Sequence, residues 1–264
     1  MARAASPRAE SSAVKTVAKV LDILENLGEV GRPVTVSEVA MMTGINVSTA
    51  HRLLQTLSRR NYLEQNPKTR AYTLGPRLFE LGSAYARNMD LVSVSQPFVE
   101  KLRDAIGETA HLAVLSDWEV VEVFTATGYR PLTVSGGIGR REQASCTATG
   151  KVMLAFLDKR ELGEFLARGI FPANTRRSIT DPKQLVADLA KIKRNGFSLD
   201  EQEWSEDVCC IGAPIRNGSG RVVAAVSVAM PKVRFRKEKV PEWTRLLIET
   251  ADRISGVIRL SNVA

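Results

Sequence analysis

Apolar residues recur at helical spacing over the first sixty residues of the chain. The first stripe comprises Val17, Val20, Leu21, Leu24 and Leu27. It predicts one helix that begins near Val14 and ends at Gly28, because glycine readily adopts the left-handed conformation of a helix cap. A second, short helix is predicted from the capping box Thr35-Val36-Ser37-Glu38, in which the Thr35 hydroxyl and the Glu38 carboxylate each satisfy an unpaired backbone amide.

A third helix and a small hairpin follow. Gly44 breaks the second helix, and Asn46 is suited to cap a third one that ends near Asn61. We expect the buried stripe of this helix to comprise Val47, Ala50, Leu53, Leu54 and Leu57. Strand-like runs at 62–65 and 70–74 flank the turn 66–69, so residues 14–75 are predicted to form three helices and a β-hairpin.

Beyond Gly107 the pattern changes from helical to strand-like. Helices over 76–90 and 95–107 precede this part. Strands are predicted at 110–115, 120–127, 197–199, 208–215 and 222–230, and helices near 150–157, 160–168, 183–194 and 242–260. The turn 217–220, Asn-Gly-Ser-Gly, makes the last two strands an antiparallel hairpin. The predicted fold class is α+β, divided into a flexible tail (1–13), a helical domain (14–75), a linker helix (76–91) and an α/β domain (92–264).

The composition is that of a soluble globular protein with a basic excess. The 264 residues carry a net charge of +8, and residues 44–76 hold five basic side chains against one acidic. This excess favours a polyanionic partner, nucleic acid before an acidic membrane. The three cysteines are too few for a disulfide framework. Residues 1–15 contain no apolar segment of the kind that a secretory signal has, and the longest apolar run, 222–230, is about half a membrane span. We therefore expect a cytoplasmic protein without a membrane partner.

Polar side chains of the third helix share the face opposite its apolar stripe. The face comprises Ser48, Arg52, Gln55 and Arg59, at i, i+4, i+7 and i+11, bordered by Thr49 and Thr56. Arginine and glutamine suit guanine and adenine edges in the major groove, and hydroxyls suit phosphates or bases. Lys68 and Arg70 on the hairpin would reach a flanking phosphate or the minor groove. The alternative is that two helices and a turn simply build a three-helix bundle, whose surface arginine and glutamine serve solubility.

Motifs in both halves of the chain resemble those of the IclR family of bacterial transcriptional regulators. The runs 48–57 (STAHRLLQTL) and 72–78 (YTLGPRL) are similar to its winged helix-turn-helix signature. The runs 147–151 (TATGK), 200–203 (DEQE) and 210–215 (CIGAPI) are similar to landmarks of its effector domain.

Over residues 14–260 the resemblance implies a winged helix-turn-helix domain, a GAF-like α/β effector domain and control of a nearby operon by a small metabolite. It also implies self-association into dimers or dimers of dimers on double-stranded operator DNA. The predicted DNA-binding residues are Ser37, Ser48, Thr49, His51, Arg52, Gln55, Thr56, Arg59, Lys68, Arg70 and Tyr72.

The predicted effector site lies where residues 146–150 lead into a helix, because the first amides and the dipole of a helix favour an anion such as a carboxylate. The resemblance implies ligand contacts at Ala148, Thr149, Asp200, Cys210 and Ser227. We expect Cys146 and Ala229 beside them and an apolar wall of Val134, Ile138 and Val208. Thr149 stands where smaller residues are common in the family, and Ala229 where some members have a second hydroxyl. We expect a small organic or aromatic acid as the effector and no cofactor. Each residue taken singly also suits a packing or capping role.

Catalytic and metal-binding alternatives have less support. Only His51 and His111 are available to a catalytic dyad or triad, and His111 at the start of a strand suits a core position. Gly150-Lys151 lacks the first glycine and the final hydroxyl of a phosphate-binding loop. A zinc site is conceivable, but its ligands would lack any characteristic spacing: Cys146, Asp200 and Cys210. No metal is therefore predicted.

The rival hypothesis is a cytosolic GAF-like enzyme or redox sensor that uses Cys210 as a reactive thiol. A fast modification rate at Cys210, slowed by ligand, would favour it. We expect a regulator and not an enzyme.

Overall fold

The computed structural model of the chain describes residues 14–88 and 90–260. The chain divides between residues 88 and 89 into two compact units, which we call the N-terminal unit and the C-terminal unit. The predicted tail, residues 1–13, lies outside the described residues. The linker-helix boundaries at 76 and 91 remain predictions.

The N-terminal unit consists of helices and one hairpin. Its elements are α1 (Lys15–Val30), α2 (Val36–Thr43), α3 (Val47–Arg59), β1 (Leu63–Gln65), β2 (Tyr72–Leu74) and α4 (Pro76–Asn88). The capping box at Thr35 and the cap at Asn46 are present as predicted. The predicted end of α1 at Gly28 is wrong, because the helix continues to Val30 and Gly31 provides the left-handed cap with φ 62°.

The core of the N-terminal unit is formed where α1, α2, α3 and the hairpin meet. Its buried side chains include Ile23, Leu27, Val34, Val39, Ala50, Leu54, Leu57, Leu63 and Tyr72. The expected burial of Val47 is wrong, since this residue is 53% exposed. It lies in the first turn of α3, before the helix reaches the core. Val17 and Leu21 of the predicted α1 stripe are also exposed, because the buried line of that helix runs through Ile23 and Leu27.

The C-terminal unit is a six-stranded antiparallel sheet with helices on both faces. Its helices are α5 (Asp90–Ile106), α6 (Ala148–Ala155), α7 (Lys159–Ala167), α8 (Pro182–Asn195) and α9 (Val240–Leu260). Its strands are β3 (Thr109–Ser116), β4 (Glu119–Ala126), β5 (Arg141–Gln143), β6 (Ser198–Glu201), β7 (Val208–Arg216) and β8 (Val222–Pro231). The sheet order is β5-β4-β3-β8-β7-β6, and β7 and β8 form the predicted hairpin.

Two elements of this unit differ from the prediction. Helix α5 begins at Asp90 instead of Ser95 and continues through Pro97. One face of this helix is buried through Leu91, Val99 and Leu102. The stability gained from this packing exceeds the cost of the backbone hydrogen bond that Pro97 cannot donate. Strand β5 was not predicted, because its three residues are polar and its pairing with β4 is a tertiary contact.

The two faces of the sheet pack differently. Residues such as Leu112, Ile211 and Val226 point to one face and form a core with α5 and α9. The alternate residues, such as Ala113 and Ala225, point to the other face, where α6 and α8 pack. The candidate effector site lies on this second face. No helix in the described part of the chain is long and apolar enough to cross a membrane.

Candidate functional site

The polar face of α3 is available to a partner. Ser48, Arg52, Gln55 and Arg59 are all exposed, as is Thr56, whereas Thr49 and His51 are half-buried. Ser37 is exposed in the first turn of α2. Within the described residues neither Arg52 nor Arg59 forms an ion pair, so their charges are not neutralised inside the unit.

The hairpin of β1 and β2, which we call the wing, exposes two further cationic side chains and buries one predicted DNA contact. Lys68 and Arg70 are exposed on the turn, where the Asn66 side chain accepts bonds from the amides of residues 68 and 69. Tyr72 is only 1% exposed and packs into the core of the unit. The predicted contact between Tyr72 and DNA is therefore wrong, because strand alternation turns this side chain inward.

The candidate effector cavity lies between the second face of the sheet, the start of α6 and the loop 134–140. Eight of the ten predicted residues line it: Val134, Ala148, Thr149, Asp200, Val208, Cys210, Ser227 and Ala229. Ile138 does not, since it is 73% exposed on the loop. Cys146 does not line the cavity either: it is buried, and its Sγ lies 3.4 Å from the Gln143 carbonyl oxygen.

The start of α6 offers unpaired backbone donors to this cavity. Thr147 caps the helix through its hydroxyl, which accepts a bond from the Gly150 amide at 3.2 Å. Ala148 and Thr149 occupy the first turn, where amides have no carbonyl partner within the helix. Both residues line the cavity. This end of the cavity is therefore suited to an anion.

Asp200 is the most perturbed acid of the cavity wall. Its Oδ1 accepts bonds from the amides of Glu203, at 2.6 Å, and Trp204, at 3.4 Å. Its Oδ2 is buried and has no hydrogen-bond partner. Burial raises the pKa of Asp200 to about 7, against the lowering effect of the Glu203 amide, and the nearby Glu203 carboxylate raises it further. Near neutral pH this carboxyl group can therefore hold a proton.

A buried ion cluster supports the turn that follows Asp200. Lys151 of α6 is 1% exposed, and its Nζ contacts the Glu203 carboxylate and lies 3.1 Å from Asp188 Oδ2 on α8. Burial raises the pKa of Glu203, although the Lys151 charge opposes this. The Ser178 hydroxyl also donates to the Glu203 carbonyl at 2.7 Å. The sequence alone did not indicate this role for Lys151, because its partners lie 37 and 52 residues away.

The opposite end of the cavity contains a second polar cluster. His111 was predicted to occupy a core position. In the structure it lines the cavity, and its Nδ1 contacts the Glu122 carboxylate. Glu122 also accepts bonds from Thr125 Oγ1, at 2.5 Å, and the Gly137 amide, at 2.7 Å. Burial alone would raise the pKa of Glu122, but the hydrogen bond from His111 and these contacts lower it to about 2.

Three further residues line the cavity: Arg140 on the loop 134–140, Glu142 on β5, and Trp204 after the end of β6. The Arg140 guanidinium stacks over Trp204 with 4.9 Å between its Cζ and the ring centroid, and its Nε lies 3.2 Å from Glu142 Oε1. Burial raises the pKa of Glu142. The sequence did not predict these residues as part of the site, because the loop and the short strand have no clear periodicity.

The thiols of this unit are unsuited to nucleophilic chemistry. Burial, followed by the charge of Asp200, raises the pKa of Cys210 well above its ordinary value and that of Cys146 to about 12. The thiolate is the reactive form, so these environments oppose reactivity. Within the described ranges no three His, Cys, Asp or Glu side chains are placed to hold a metal ion.

The helix-turn-helix with its wing, followed by an α/β unit with a polar cavity, defines a ligand-binding transcriptional regulator. Family models match at residues 16–67, the IclR helix-turn-helix domain, and at 83–256, the bacterial transcriptional regulator IclR C-terminal domain. The chain therefore belongs to the IclR family. It is a DNA-binding transcriptional regulator with a C-terminal effector domain, and not an enzyme.

Individual relatives agree with this assignment. The chain is 31% identical over 247 residues to the HTH-type transcriptional regulator KdgR of Escherichia coli K12, covering 94% of each protein. A crystal structure from Rhodococcus sp. RHA1 has 30% identity and a TM-score of 0.83, over 93% of this chain and 98% of that one. An IclR homologue from Microbacterium hydrocarbonoxydans, solved with 4-hydroxybenzoate, has 25% identity and a TM-score of 0.82, over 91% and 98%.

Proposed function

We propose that this chain reads operator DNA through α3 and the wing, and that a small organic or aromatic acid in the C-terminal cavity controls its affinity for DNA. We propose further that it acts in the cytoplasm as a dimer or a dimer of dimers. The complex of the Microbacterium hydrocarbonoxydans relative with 4-hydroxybenzoate supports an aromatic acid.

The observation that carries the effector proposal is the unpartnered Oδ2 of Asp200 on the cavity wall. A buried polar atom without a partner is unfavourable by about 1 to 3 kcal/mol. A ligand acid relieves this penalty by sharing a proton with Asp200, while its second oxygen accepts from the first amides of α6. Apolar residues such as Val134 and Val208 then contact the hydrocarbon part of the ligand.

A matched ligand panel tests the effector proposal. Benzoate, 4-hydroxybenzoate and acetate are each compared with the corresponding amide, which has the same shape and no negative charge. We expect at least one acid to raise the melting temperature of the C-terminal unit more than its amide does. At 100 times its Kd, this acid should stabilise the folded unit by about 2.7 kcal/mol. The same acid should change the affinity for the chain's native upstream DNA. An equal shift with every acid and its amide would contradict an acid site.

Arg52→Ala is expected to weaken specific DNA binding by about 1 to 3 kcal/mol, because Arg52 lies at the centre of the exposed α3 face and forms no ion pair with any residue that the structure describes. Binding to the native upstream fragment and to a scrambled fragment is measured by anisotropy. Arg160→Ala is the matched control, since Arg160 is an exposed arginine of α7 that forms an ion pair with Glu164 on the same helix. An unchanged preference for the native fragment in the Arg52 variant would refute this assignment.

The Lys68→Ala/Arg70→Ala variant is expected to weaken DNA binding by a similar factor on every sequence. It should reduce the slope of log K against log salt by about 2, since each lost phosphate contact removes about 0.9. Both residues are exposed on the wing turn, which suits contacts to the DNA backbone. The slope is measured between about 50 and 200 mM salt. A change in base preference instead would mean that the wing reads bases.

A further inference from the structure

The His111 cluster has a free hydrogen-bonding atom that the proposed acid site does not use. Nδ1 of His111 is occupied by Glu122, whose carboxylate is itself held by Thr125 and by the Gly137 amide. For Nε2 the described residues provide no hydrogen-bond partner. The ring lines the cavity, so this atom is available to a ligand group there.

The orientation of the imidazole ring is fixed. A Cβ atom added to Gly136 would lie 2.4 Å from Glu122 Oε1 and 2.7 Å from His111 Cε1, so the loop backbone packs directly against the cluster. Glu122 has its pKa lowered to about 2, because its hydrogen bonds outweigh its burial, and so remains a carboxylate near neutral pH. A carboxylate on Nδ1 holds the proton on that nitrogen and directs Nε2 to another partner.

The two polar ends of the cavity are well separated along the sheet. Asp200 lies on β6, whereas His111 lies on β3, and the order β6-β7-β8-β3 places three strand spacings between them. At about 4.8 Å per spacing this is roughly 14 Å between backbones. Side chains of both residues reach inward, and the small residues Cys210 and Ala229 lie between them. A ligand that touches both ends must therefore be elongated.

We propose that His111 is a specificity-determining residue that binds a hydroxyl group at the far end of an elongated acid, with Nε2 as the contacting atom. A hydroxyl is favoured because it both donates and accepts, so it satisfies Nε2 whether the ring is neutral or protonated. This inference rests on the proposed acid site, since the carboxylate end of the ligand must lie at α6 and Asp200. The ligand class is a hydroxy acid whose two polar groups are separated by a ring or a chain of similar length.

The test compares 4-hydroxybenzoate with benzoate, which differs only in lacking the distal hydroxyl. We expect calorimetry on the full chain to give a Kd about fivefold to tenfold lower for 4-hydroxybenzoate, as one hydrogen bond supplies. In His111→Asn the side-chain amide lies near the place of Nδ1, so Glu122 keeps a hydrogen-bond donor. Asparagine has no atom at the place of Nε2, so the contact with the ligand hydroxyl is lost. It should bind both acids equally. His111→Gln reaches the Nε2 position and should retain part of the preference.

Thr127→Val is the matched control for a change at this end of β4, because Thr127 is an exposed threonine that does not line the cavity. Its preference should equal that of the unaltered chain. A second measurement requires no variant at His111. The chain has two histidines, so in nitrogen-labelled protein the His111 Nε2 resonance is readily assigned. It should move with 4-hydroxybenzoate and not with benzoate.

The outcomes separate this inference from the proposed function. If both acids bind but the Asn variant keeps the preference, or the Nε2 resonance responds equally to both, the role of His111 is refuted and the acid site stands. Loss of the preference in Thr127→Val as well would show that it does not depend on the His111 contact and would also refute the inference. If no acid binds, the proposed acid site fails and this inference fails with it.

Discussion

Lys151→Met is expected to destabilise the C-terminal unit by about 3 to 5 kcal/mol. The substitution keeps the length of the buried side chain but removes the cation that faces Glu203 and Asp188. Removing one partner of a buried ion cluster is strongly unfavourable because the remaining charge is left without compensation. The loss should be smaller at pH 5 than at pH 8, since the Glu203 pKa is already raised by burial and protonation then relieves the unpaired charge.

Tryptophan fluorescence measures this effect selectively. All three tryptophans, Trp118, Trp204 and Trp243, belong to the C-terminal unit, so denaturant unfolding followed by fluorescence reports that unit. Lys191→Met is the matched control, because Lys191 is an exposed lysine of α8 and its replacement should change stability by no more than about 0.5 kcal/mol. A Lys151 variant within about 1 kcal/mol of the unaltered chain at pH 8 would show that the cluster is not needed to hold the unit together.

Effector affinity is expected to fall about tenfold per pH unit above pH 7. The Asp200 pKa is raised to about 7, mainly by burial, and the proposed contact requires its protonated form to donate to the ligand carboxylate. Above pH 7 most Asp200 carboxyl groups are ionised, and each must take up a proton before the ligand binds. The Kd therefore rises with pH, by about 50-fold between pH 7 and pH 9. Calorimetry at pH 6, 7, 8 and 9 with the best acid of the panel measures this slope, and buffers of different ionisation enthalpy measure the proton uptake.

Asp200→Asn is the control for this pH dependence, because an amide donates a hydrogen bond at every pH. Its affinity should be flat between pH 6 and 9. A flat profile in the unaltered chain, or an equal slope in the Asn variant, would show that Asp200 does not exchange a proton with the ligand. DNA binding in the absence of acid should be the same for both proteins, since the substitution lies in the C-terminal unit.

The same pKa shift has a consequence for folding. A carboxyl group whose pKa rises from 3.8 to about 7 on folding binds its proton more tightly in the native state. The unaltered chain therefore loses stability as the pH rises from about 4 to 7, by at most about 4 kcal/mol, and the loss is complete above 7. Asp200→Asn should unfold later in denaturant than the unaltered chain at pH 8, and the difference should shrink toward pH 4. A constant difference across this range would contradict the shift.

Local periodicity and capping were sufficient to predict the exposed polar face of α3. The polar face of α3 follows from the 3.6-residue period, and the caps at Thr35 and Asn46 depend on contacts within three residues. The failures occurred where a side chain's environment is set by neighbours distant in sequence. Tyr72 belongs to a three-residue strand whose inward direction depends on its pairing with residue 65 and its bridge to Val34.

For the effector cavity, the family resemblance placed residues at α6, β6, β7 and β8, and eight of the ten predicted residues line it. The position of Ile138 could not be predicted from the resemblance. The path of the loop 134–140 depends on a tertiary hydrogen bond, which the Gly137 amide donates to Glu122 on β4.

The sequence by itself determined the helices, the principal strands and the polar stripe of α3, because these depend on periodic burial and on caps a few residues apart. Only the tertiary structure decided the charge pattern of the cavity. Lys151 and Glu203 are separated by 52 residues, and His111 and Glu122 by 11. Their meeting depends on strand register and helix packing, and burial by that packing is what raises the pKa of Asp200 and leaves its Oδ2 without a partner.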